Sequence, residues 1–165
     1  MSKFEVKVEI ASDIETVMKA FWELEDWPSV AKHVRAINMI YADENVQVLN
    51  MHVETRNHHD IFKSVRYRDD NNIYFFQPAP PPILNRHWGS WKFTAAGAWV
   101  TVTSFHDMDV DLTGSAAFLS QTGIDAVDSD EVLKKITELI ENNSLQTMNA
   151  LKKRLERENA KSHAA

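Results

Sequence analysis

The sequence of 165 residues contains no cysteine and no long apolar run. Without cysteine, the chain can form neither a disulfide nor a reactive thiolate. No segment approaches the roughly 20 apolar residues that a membrane-spanning helix needs. The opening sequence, MSKFEVKVEI, alternates charged and apolar residues and lacks the apolar core of a signal peptide. We therefore expect a soluble, cytoplasmic protein without a membrane partner.

A basic surface is also lacking, because the formal net charge is −6 at pH 7 and no stretch of the sequence is a basic stripe. Proteins that bind nucleic acid neutralise phosphates with such surfaces, so a nucleic-acid partner is not expected. The length suits one domain, which at this size buries roughly 70% of the surface of its unfolded chain. We predict a single domain over residues 1–165, with a frayed tail after about residue 159.

The first part of the chain predicts a strand followed by two short helices. Apolar and charged residues alternate from Lys3 to Ile10, which is the period of a strand with one buried face. Ser12 and Glu15 have the spacing of a capping box that begins a helix. Pro28 suits the first turn of a second short helix.

Six further strands are predicted, because alternating segments are separated by short turns rich in Asp, Asn and Gly. Connections too short for an intervening helix imply an antiparallel meander. The proline-rich segment 78–82 cannot join a sheet ladder and is interpreted as an extended connector. The predicted strands cover residues 35–42, 45–56, 59–69, 72–78, 86–94 and 98–112.

The end of the chain predicts a loop or weak helical turn over 113–128 and one long helix over 130–158. Apolar residues recur along this helix at steps of three and four, but Ser144 interrupts the stripe. A polar residue on a buried helical face indicates a mild defect or contact with a polar cavity. The element order predicts an α+β fold, in which a curved seven-stranded antiparallel sheet wraps around the long C-terminal helix. A cavity between the sheet and this helix is the expected ligand site.

This element order, together with three short motifs, resembles the helix-grip domain of the START-like (SRPBCC) superfamily. The motifs are similar to those of the polyketide cyclase/aromatase (cyclase/dehydrase) family, in which a Ser/Arg strand leads to a Gln-ended strand and a Gly-x-Trp strand. They are Ser64-Val-Arg66, Ile73-Tyr-Phe-Phe-Gln77 and His87-Trp-Gly89-Ser-Trp91.

The resemblance implies an enzyme of polyketide biosynthesis, including that of antibiotics. Such an enzyme closes a ring in a poly-β-ketone by intramolecular aldol addition and then removes water, without a cofactor. The resemblance further implies that Arg66 polarises a carbonyl group with help from the Ser64 hydroxyl, and that the substrate arrives on an acyl carrier protein. The same fold serves lipid carriers, so non-catalytic binding of a lipid, quinone or polyketide is the alternative function.

Residue pattern alone leaves open which face of the Arg66 strand is buried. A count of apolar side chains favours burying the face opposite Arg66, whereas the family resemblance favours burying Arg66 itself. A guanidinium in a dry cavity would stabilise an enolate or alkoxide far better than one in water, and an exposed arginine is the alternative. One face carries Phe62, where the family often has tryptophan, with Ser64, Arg66 and Arg68; the other carries Ile61, Lys63, Val65 and Tyr67.

Two histidines lie in phase with residues predicted to face inward, His87 with Trp91 and His106 with Val102. An imidazole titrates near neutral pH, so either histidine is a candidate general acid or base, with a structural role as the alternative. His52 lies on a polar strand face that is either a pocket wall or solvated. The sequence shows no metal-ligand spacing on a helix, so no metal is expected.

The chain has five tryptophans, which suits a pocket for a flat or conjugated ligand, although aromatic residues also form ordinary core. Either Tyr74 or its neighbour Phe75 should reach this pocket. The residues predicted to surround the ligand are Trp27, His52, Phe62, Tyr74, Trp91, Phe93 and Ser144. A basic cluster that could receive an acyl carrier protein comprises Lys63, Arg66, Arg68, Arg86 and Lys92.

Overall fold

The computed structural model describes residues 1–164, which form seven strands and four helices. The elements in chain order are β1 (Ser2–Ile10), α1 (Ile14–Trp22), α2 (Trp27–Val30), β2 (Val34–Ala42), β3 (Val46–Thr55), β4 (His58–Asp69), β5 (Asn72–Ala79), β6 (Leu84–Ala96), β7 (Trp99–Val110), α3 (Leu112–Gln121) and α4 (Ser129–Ala164).

All seven strands belong to one antiparallel sheet in the order β1-β7-β6-β5-β4-β3-β2. Irregular pairings interrupt the ladders within β2, β4 and β6, and such bulges bend strands and increase their twist. The sheet curves around α4, and α1 and α2 follow β1. The predicted helix-grip fold, a curved sheet holding a long C-terminal helix, is therefore confirmed.

Strand pairing places one row of residues across the concave face of the sheet. Arg66 pairs with Gln47 on one side and with Phe75 on the other. Phe75 then pairs with Gly89, which in turn pairs with His106. Adjacent strands lie about 4.8 Å apart, so Arg66 and His106 are three strand spacings apart along this row. The ring of Phe75 and the backbone of Gly89 separate them.

Two hydrophobic clusters pack on this concave face. The larger one joins α1 to β1, β7 and the later turns of α4, and it includes Phe21, Phe93 and Leu151. The smaller one joins the start of β6 to α3 and the earlier turns of α4, and it includes Phe118 and Ile136. No helix within the described residues combines the length and apolar character needed to cross a bilayer.

The cap of α1 differs from the prediction. The residue that caps the helix is Asp13, whose Oδ1 accepts a hydrogen bond from the Thr16 backbone N–H at 2.8 Å. The predicted capping box of Ser12 and Glu15 is wrong, because Ser12 lies one residue before the cap and is buried. The Asp13 carboxylate also lies at the positive end of the helix dipole, which favours its charge.

Two helices at the end of the chain extend beyond what the sequence predicted. The segment predicted as a loop or weak helical turn contains α3, which begins where Asp111 accepts hydrogen bonds from the Thr113 and Gly114 N–H groups. At Gly114 a Cβ would lie 2.7 Å from the Pro82 carbonyl oxygen, so the small residue permits close packing on the proline connector. This connector covers only residues 80–83, because Pro78 and Ala79, which were predicted to lie outside the sheet, belong to β5. The tail predicted to fray after about residue 159 continues α4 to Ala164.

We predict that Asp13→Ala lowers the free energy of unfolding by about 1 kcal/mol, the usual cost of losing a helix N-cap. Ser12→Ala is the matched control, and it should change stability less, because the Ser12 side chain does not cap the helix. Urea denaturation of both variants measures the difference. A larger loss in Ser12→Ala would show that the assignment of the cap is wrong.

Candidate functional site

A cavity of about 170 Å³ lies between the concave face of the sheet and α4. Most of the side chains that line it are apolar, and they come from both hydrophobic clusters. The half-buried members Thr55, Asp60, Pro81 and Asn143 mark its outer side, between the β3–β4 hairpin, the proline connector and α4. The polar members with the least exposure are Ser64, Arg66, Gln77, His87, His106 and Thr147.

Arg66 is buried at one end of this cavity, with only 2% of its surface exposed. Its Nη1 donates to the Trp22 carbonyl oxygen at 3.0 Å and to Gln47 Oε1 at 2.7 Å. Its Nη2 donates to the Phe21 carbonyl oxygen. The guanidinium is therefore fixed by two backbone carbonyls and one amide, none of which carries a formal charge.

The carbonyls that hold Arg66 belong to the last turn of α1, where a helix has no partners of its own for them. The neighbouring Ala20 carbonyl accepts from Trp27 Nε1 at 3.1 Å, and Gln47 Nε2 donates to the Trp22 carbonyl at 3.1 Å. The C-terminal end of a helix carries partial negative charge, which favours a cation there. The end of α1 thus takes the place of a carboxylate as the partner of Arg66.

Three indole rings surround the same guanidinium. The Arg66 Cζ lies 5.3 Å from the ring centre of Trp22, 5.6 Å from that of Trp27 and 5.5 Å from that of Trp91. Contacts of a cation with aromatic faces at these distances are attractive, particularly when water is excluded. Trp27 and Trp91 also line the cavity, so they form the walls beside the cation.

Burial lowers the pKa of Arg66 to about 9, so the side chain remains charged at neutral pH. Its Nε–H is buried and has no hydrogen-bond partner among the described residues. Leaving a buried donor unpaired costs about 1–3 kcal/mol. Arg66 therefore lies beside the cavity as a charged side chain with one donor unsatisfied.

A second polar group crosses β5, β6 and β7 and reaches α4. Gln77 Oε1 lies 3.0 Å from His87 Nδ1, and His87 Nε2 lies 2.9 Å from His106 Nδ1. His106 Nε2 lies 2.9 Å from the Ser104 Oγ and 3.2 Å from the Ser144 Oγ. These side chains form a continuous hydrogen-bonded chain from the sheet to the long helix.

Both histidines of this chain are neutral at pH 7. Burial lowers the pKa of His87 to about 4, although the charge of Asp107 opposes the shift. Burial, with His87 as a neighbour, holds the pKa of His106 well below its ordinary value. The His106 ring is also stacked on Phe4, with 4.4 Å between ring centres. A neutral imidazole has one nitrogen free to accept a proton, which a general base requires.

Phe75 separates the histidine chain from Arg66. Its ring centre lies 5.2 Å from that of His87, 5.3 Å from that of His106 and 5.0 Å from one ring centre of Trp91. The ring occupies the space that a side chain at Gly89 would need, since a Cβ there would lie 2.6 Å from Phe75 Cζ. Gly89 therefore allows Phe75 to lie across the strand as a wall of the cavity.

The structure brings most of the predicted site residues to this cavity. It buries the face of β4 that carries Arg66 and leaves Ile61 and Tyr67 exposed, so the apolar count pointed to the wrong face. The predicted residues that line the cavity are Trp27, Phe62, Ser64, Arg66, His87, Trp91, His106 and Ser144.

Three predicted ligand contacts lie elsewhere. Tyr74 is 41% exposed on the outer face of the sheet, because its neighbour Phe75 takes the inward position. Phe93 is buried but packs edge-on against Phe21 in the core, beyond the cavity. His52 points to the outer face, where it forms a hydrogen bond with Asn38. The strand face that carries His52 is therefore the solvated face and not a wall of the pocket.

The sequence analysis did not identify Gln77 or His33 as residues that line the cavity. Gln77 was noted only as the end of a motif, and the available signal was its inward phase with Phe75. His33 lies after a short helix, where no periodicity shows its direction. Its Nε2 lies 3.4 Å from the Thr147 Oγ1, its Nδ1 is buried without a partner, and burial lowers its pKa.

The predicted basic cluster is not one surface. Arg66 is buried, and Arg86 pairs with Asp107 at 3.0 Å, which leaves Lys63 and Lys92 as its exposed members. Arg68 packs over the Trp22 ring, with Cζ 5.0 Å from the ring centre. Among residues 1–164, no three histidine or carboxylate side chains are grouped so that they could hold a metal ion.

Comparison with solved structures defines the fold class. The di-domain aromatase/cyclase StfQ, from the steffimycin biosynthetic pathway, aligns with a TM-score of 0.83 and 21% identity over 96% of this chain. This chain spans about half of StfQ, or 52% of its length. The Zhui aromatase/cyclase from Streptomyces sp. R1128 aligns with a TM-score of 0.81 and 19% identity over 94% of both chains.

A START superfamily protein from Mycobacterium smegmatis aligns with a TM-score of 0.71 and 17% identity, over 94% of this chain and 97% of that one. No protein-family model matches the sequence, and no curated protein matches it either. At these identities the likeness concerns the fold. The chain has the helix-grip fold of START-like proteins, and the polyketide aromatase/cyclases are among its structural neighbours.

We predict that stability falls as the pH is lowered from about 6.5 towards 4. In this range the unfolded histidines take up protons that the folded protein excludes, so stability is complete above the unfolded pKa and is lost below it. A shift from 6.5 to about 4 at His87 corresponds to roughly 3 kcal/mol, at about 1.4 kcal/mol per pH unit.

Urea unfolding at several pH values measures this loss. His106→Gln should reduce the dependence on pH, because one buried histidine no longer titrates. His59→Gln is the control, since His59 is exposed and its replacement should leave the dependence unchanged. Equal pH dependence in the wild type and His106→Gln would contradict the prediction.

Proposed function

We propose that this protein is a polyketide aromatase/cyclase, which folds a poly-β-ketone inside the cavity and closes a ring by aldol addition and loss of water. The observation that carries this proposal is the buried Arg66 cation, which has neither a carboxylate partner nor an acceptor for its Nε–H among residues 1–164. The aromatase/cyclases among the structural neighbours support the same reaction class.

The reaction needs a cation beside the carbonyl that becomes an alkoxide. Arg66 would donate to that oxygen as negative charge develops, and the surrounding indoles exclude the water that would weaken the interaction. The Ser64 hydroxyl, two residues earlier on the same buried face of β4, also lines the cavity and would assist. Both groups are positioned before the substrate enters, so little reorganisation is required.

The reaction also needs a base. A methylene between two carbonyls loses a proton to His106 Nε2, and the resulting enolate carbon attacks a second carbonyl to form the new carbon–carbon bond. The imidazolium then returns the proton to the alkoxide oxygen, which becomes a hydroxyl group. In the elimination, His106 takes a proton from the neighbouring carbon and gives it to the departing hydroxyl, which leaves as water while a C=C bond forms. A neutral histidine can accept the proton of such an acidic methylene.

The cavity walls supply the conformational part of the catalysis. Phe62, Trp27, Phe75 and Trp91 present flat surfaces around the reacting chain. Holding a flexible chain in one reactive conformation accounts for a large share of the barrier in intramolecular reactions. The cavity is smaller than the ~300–1,000 Å³ usual for drug-sized ligands, so a long chain requires its outer side to widen.

We predict that Arg66→Ala lowers kcat for cyclisation of a synthetic poly-β-ketone thioester by about 100-fold, the usual effect of losing one oxyanion donor. The variant should also lose about 1–3 kcal/mol of stability, because the α1 carbonyls lose their partner. Arg68→Ala is the matched control: it removes an arginine that stacks on the same Trp22 ring without lining the cavity. It should retain the wild-type kcat.

Native mass spectrometry separates the enzyme from the alternative, a carrier of a hydrophobic small molecule. An enzyme converts the poly-β-ketone to a product with one or more fewer water molecules, and Arg66→Ala binds it without turnover. A carrier releases a lipid, quinone or unchanged polyketide on denaturation, and Arg66→Ala loses affinity only. Wild-type turnover in a folded Arg66→Ala variant would show that Arg66 does not act in the reaction.

A further inference from the structure

We propose that Gln77 and His87 are positioning residues for His106, because they fix its tautomer with the proton on Nδ1 and the lone pair on Nε2. The proposal rests on the function suggested above, in which His106 is the base. It concerns the hydrogen-bonded chain described above, which runs from the sheet to α4 and also contains Ser104 and Ser144.

The tautomer follows from the first member of the chain. Gln77 presents its amide oxygen, Oε1, to His87 Nδ1 at 3.0 Å. An amide oxygen only accepts hydrogen bonds, so His87 must carry its proton on Nδ1. A neutral imidazole has a single N–H, which leaves His87 Nε2 as an acceptor.

The same argument applies to the ring of His106. His87 Nε2 accepts at 2.9 Å, so His106 Nδ1 must be the donor and His106 Nε2 must carry the lone pair. That nitrogen faces the hydroxyls of Ser104 at 2.9 Å and Ser144 at 3.2 Å, which are able to donate. The orientation of the Gln77 amide on β5 therefore decides which nitrogen of His106 is basic, although the two side chains are linked only through His87.

Burial makes this assignment effective, because water cannot replace a missing partner. Gln77, His87 and His106 are each at most 7% exposed. Phe4 and Phe75 cover the His106 ring, which prevents it from turning freely. If the hydrogen bonds from Gln77 to His106 ran in the opposite direction, His106 would carry its proton on Nε2. This nitrogen could then no longer accept a proton from a substrate.

Ser144 lies next to the lone pair of His106 Nε2. Ser144 Oγ lies 3.3 Å from Ser104 Oγ and 3.2 Å from His106 Nε2, and it is the member of the chain contributed by the long helix. Both Ser144 and His106 line the cavity. The other titratable residues that line the cavity are His33, Asp60 and Arg66, and Asp107 acts on His87 from the outer face.

Nitrogen-15 NMR of the histidine rings tests the proposal on the free protein. We expect His87 and His106 both to show a protonated Nδ1 and an unprotonated Nε2. Gln77→Leu removes the acceptor, so the rings should show mixed or reversed tautomers. Gln77→Glu is the matched control, because a carboxylate also only accepts; it should keep the tautomers and raise the pH at which the rings protonate.

Turnover of the poly-β-ketone thioester gives the functional readout. Gln77→Leu should lower kcat by about 100-fold with little change in KM, within the range that general acid–base catalysis contributes. Gln77→Glu should recover most of this loss, with a pH profile shifted upwards. A purely structural role for Gln77 would not produce this recovery.

The outcomes separate the two proposals. A wild-type His106 with its proton on Nε2 overturns the positioning role, as do unchanged tautomers and kcat in Gln77→Leu. The expected tautomers in a protein that never turns over a poly-β-ketone would support the fixed tautomer and contradict the proposed enzymatic function. The wild-type spectrum alone decides the tautomer, even if Gln77→Leu fails to fold.

Discussion

The arrangement of the cavity depends on the interaction between Arg66 and the last turn of α1. A buried guanidinium needs acceptors, and the end of a helix has carbonyls without partners. The Phe21 and Trp22 carbonyls accept hydrogen bonds from Arg66. The Gln47 amide accepts from Arg66 and donates to the Trp22 carbonyl. Because none of these acceptors is a carboxylate, the positive charge is held in place without being neutralised.

The rest of the site follows from where this anchor lies. Fixing α1 against β3 and β4 brings Trp22 and Trp27 over the guanidinium, opposite Trp91 on β6. The far end of the same row of the sheet carries the histidine chain, separated by Phe75 above Gly89. A cation and a base thus face one apolar cavity from opposite ends without contacting each other. Burial keeps both histidines neutral at pH 7, while Arg66 remains charged.

The sequence predicted the fold well because its signals were periodic and local. Strict alternation in β1, short turns between strands and the apolar stripe of α4 each depend on neighbouring residues only. The same reasoning predicted only a loop or weak helical turn at α3, which is rich in Ser, Ala and Gly. The position of this helix is decided by the Asp111 cap and by packing of Phe118 and Leu119 in the smaller cluster. The apolar count on β4 also misled, since Tyr67 and Ile61 remain exposed while Arg66 is buried.

By itself, the sequence determined the order of the elements other than α3, the absence of thiol chemistry, and the two strands that carry Arg66 and His87. The resemblance to a known family supplied the buried face of β4. Tertiary structure alone decided the partners: the α1 carbonyls at Arg66, Gln77 at His87, and Ser144 at His106. These contacts join residues from 10 to 45 positions apart, so they depend on strand register and on the docking of two helices. Neither strand register nor helix docking can be predicted from local sequence. Periodicity indicates which face of a strand or helix a residue lies on, but not which residues it contacts there.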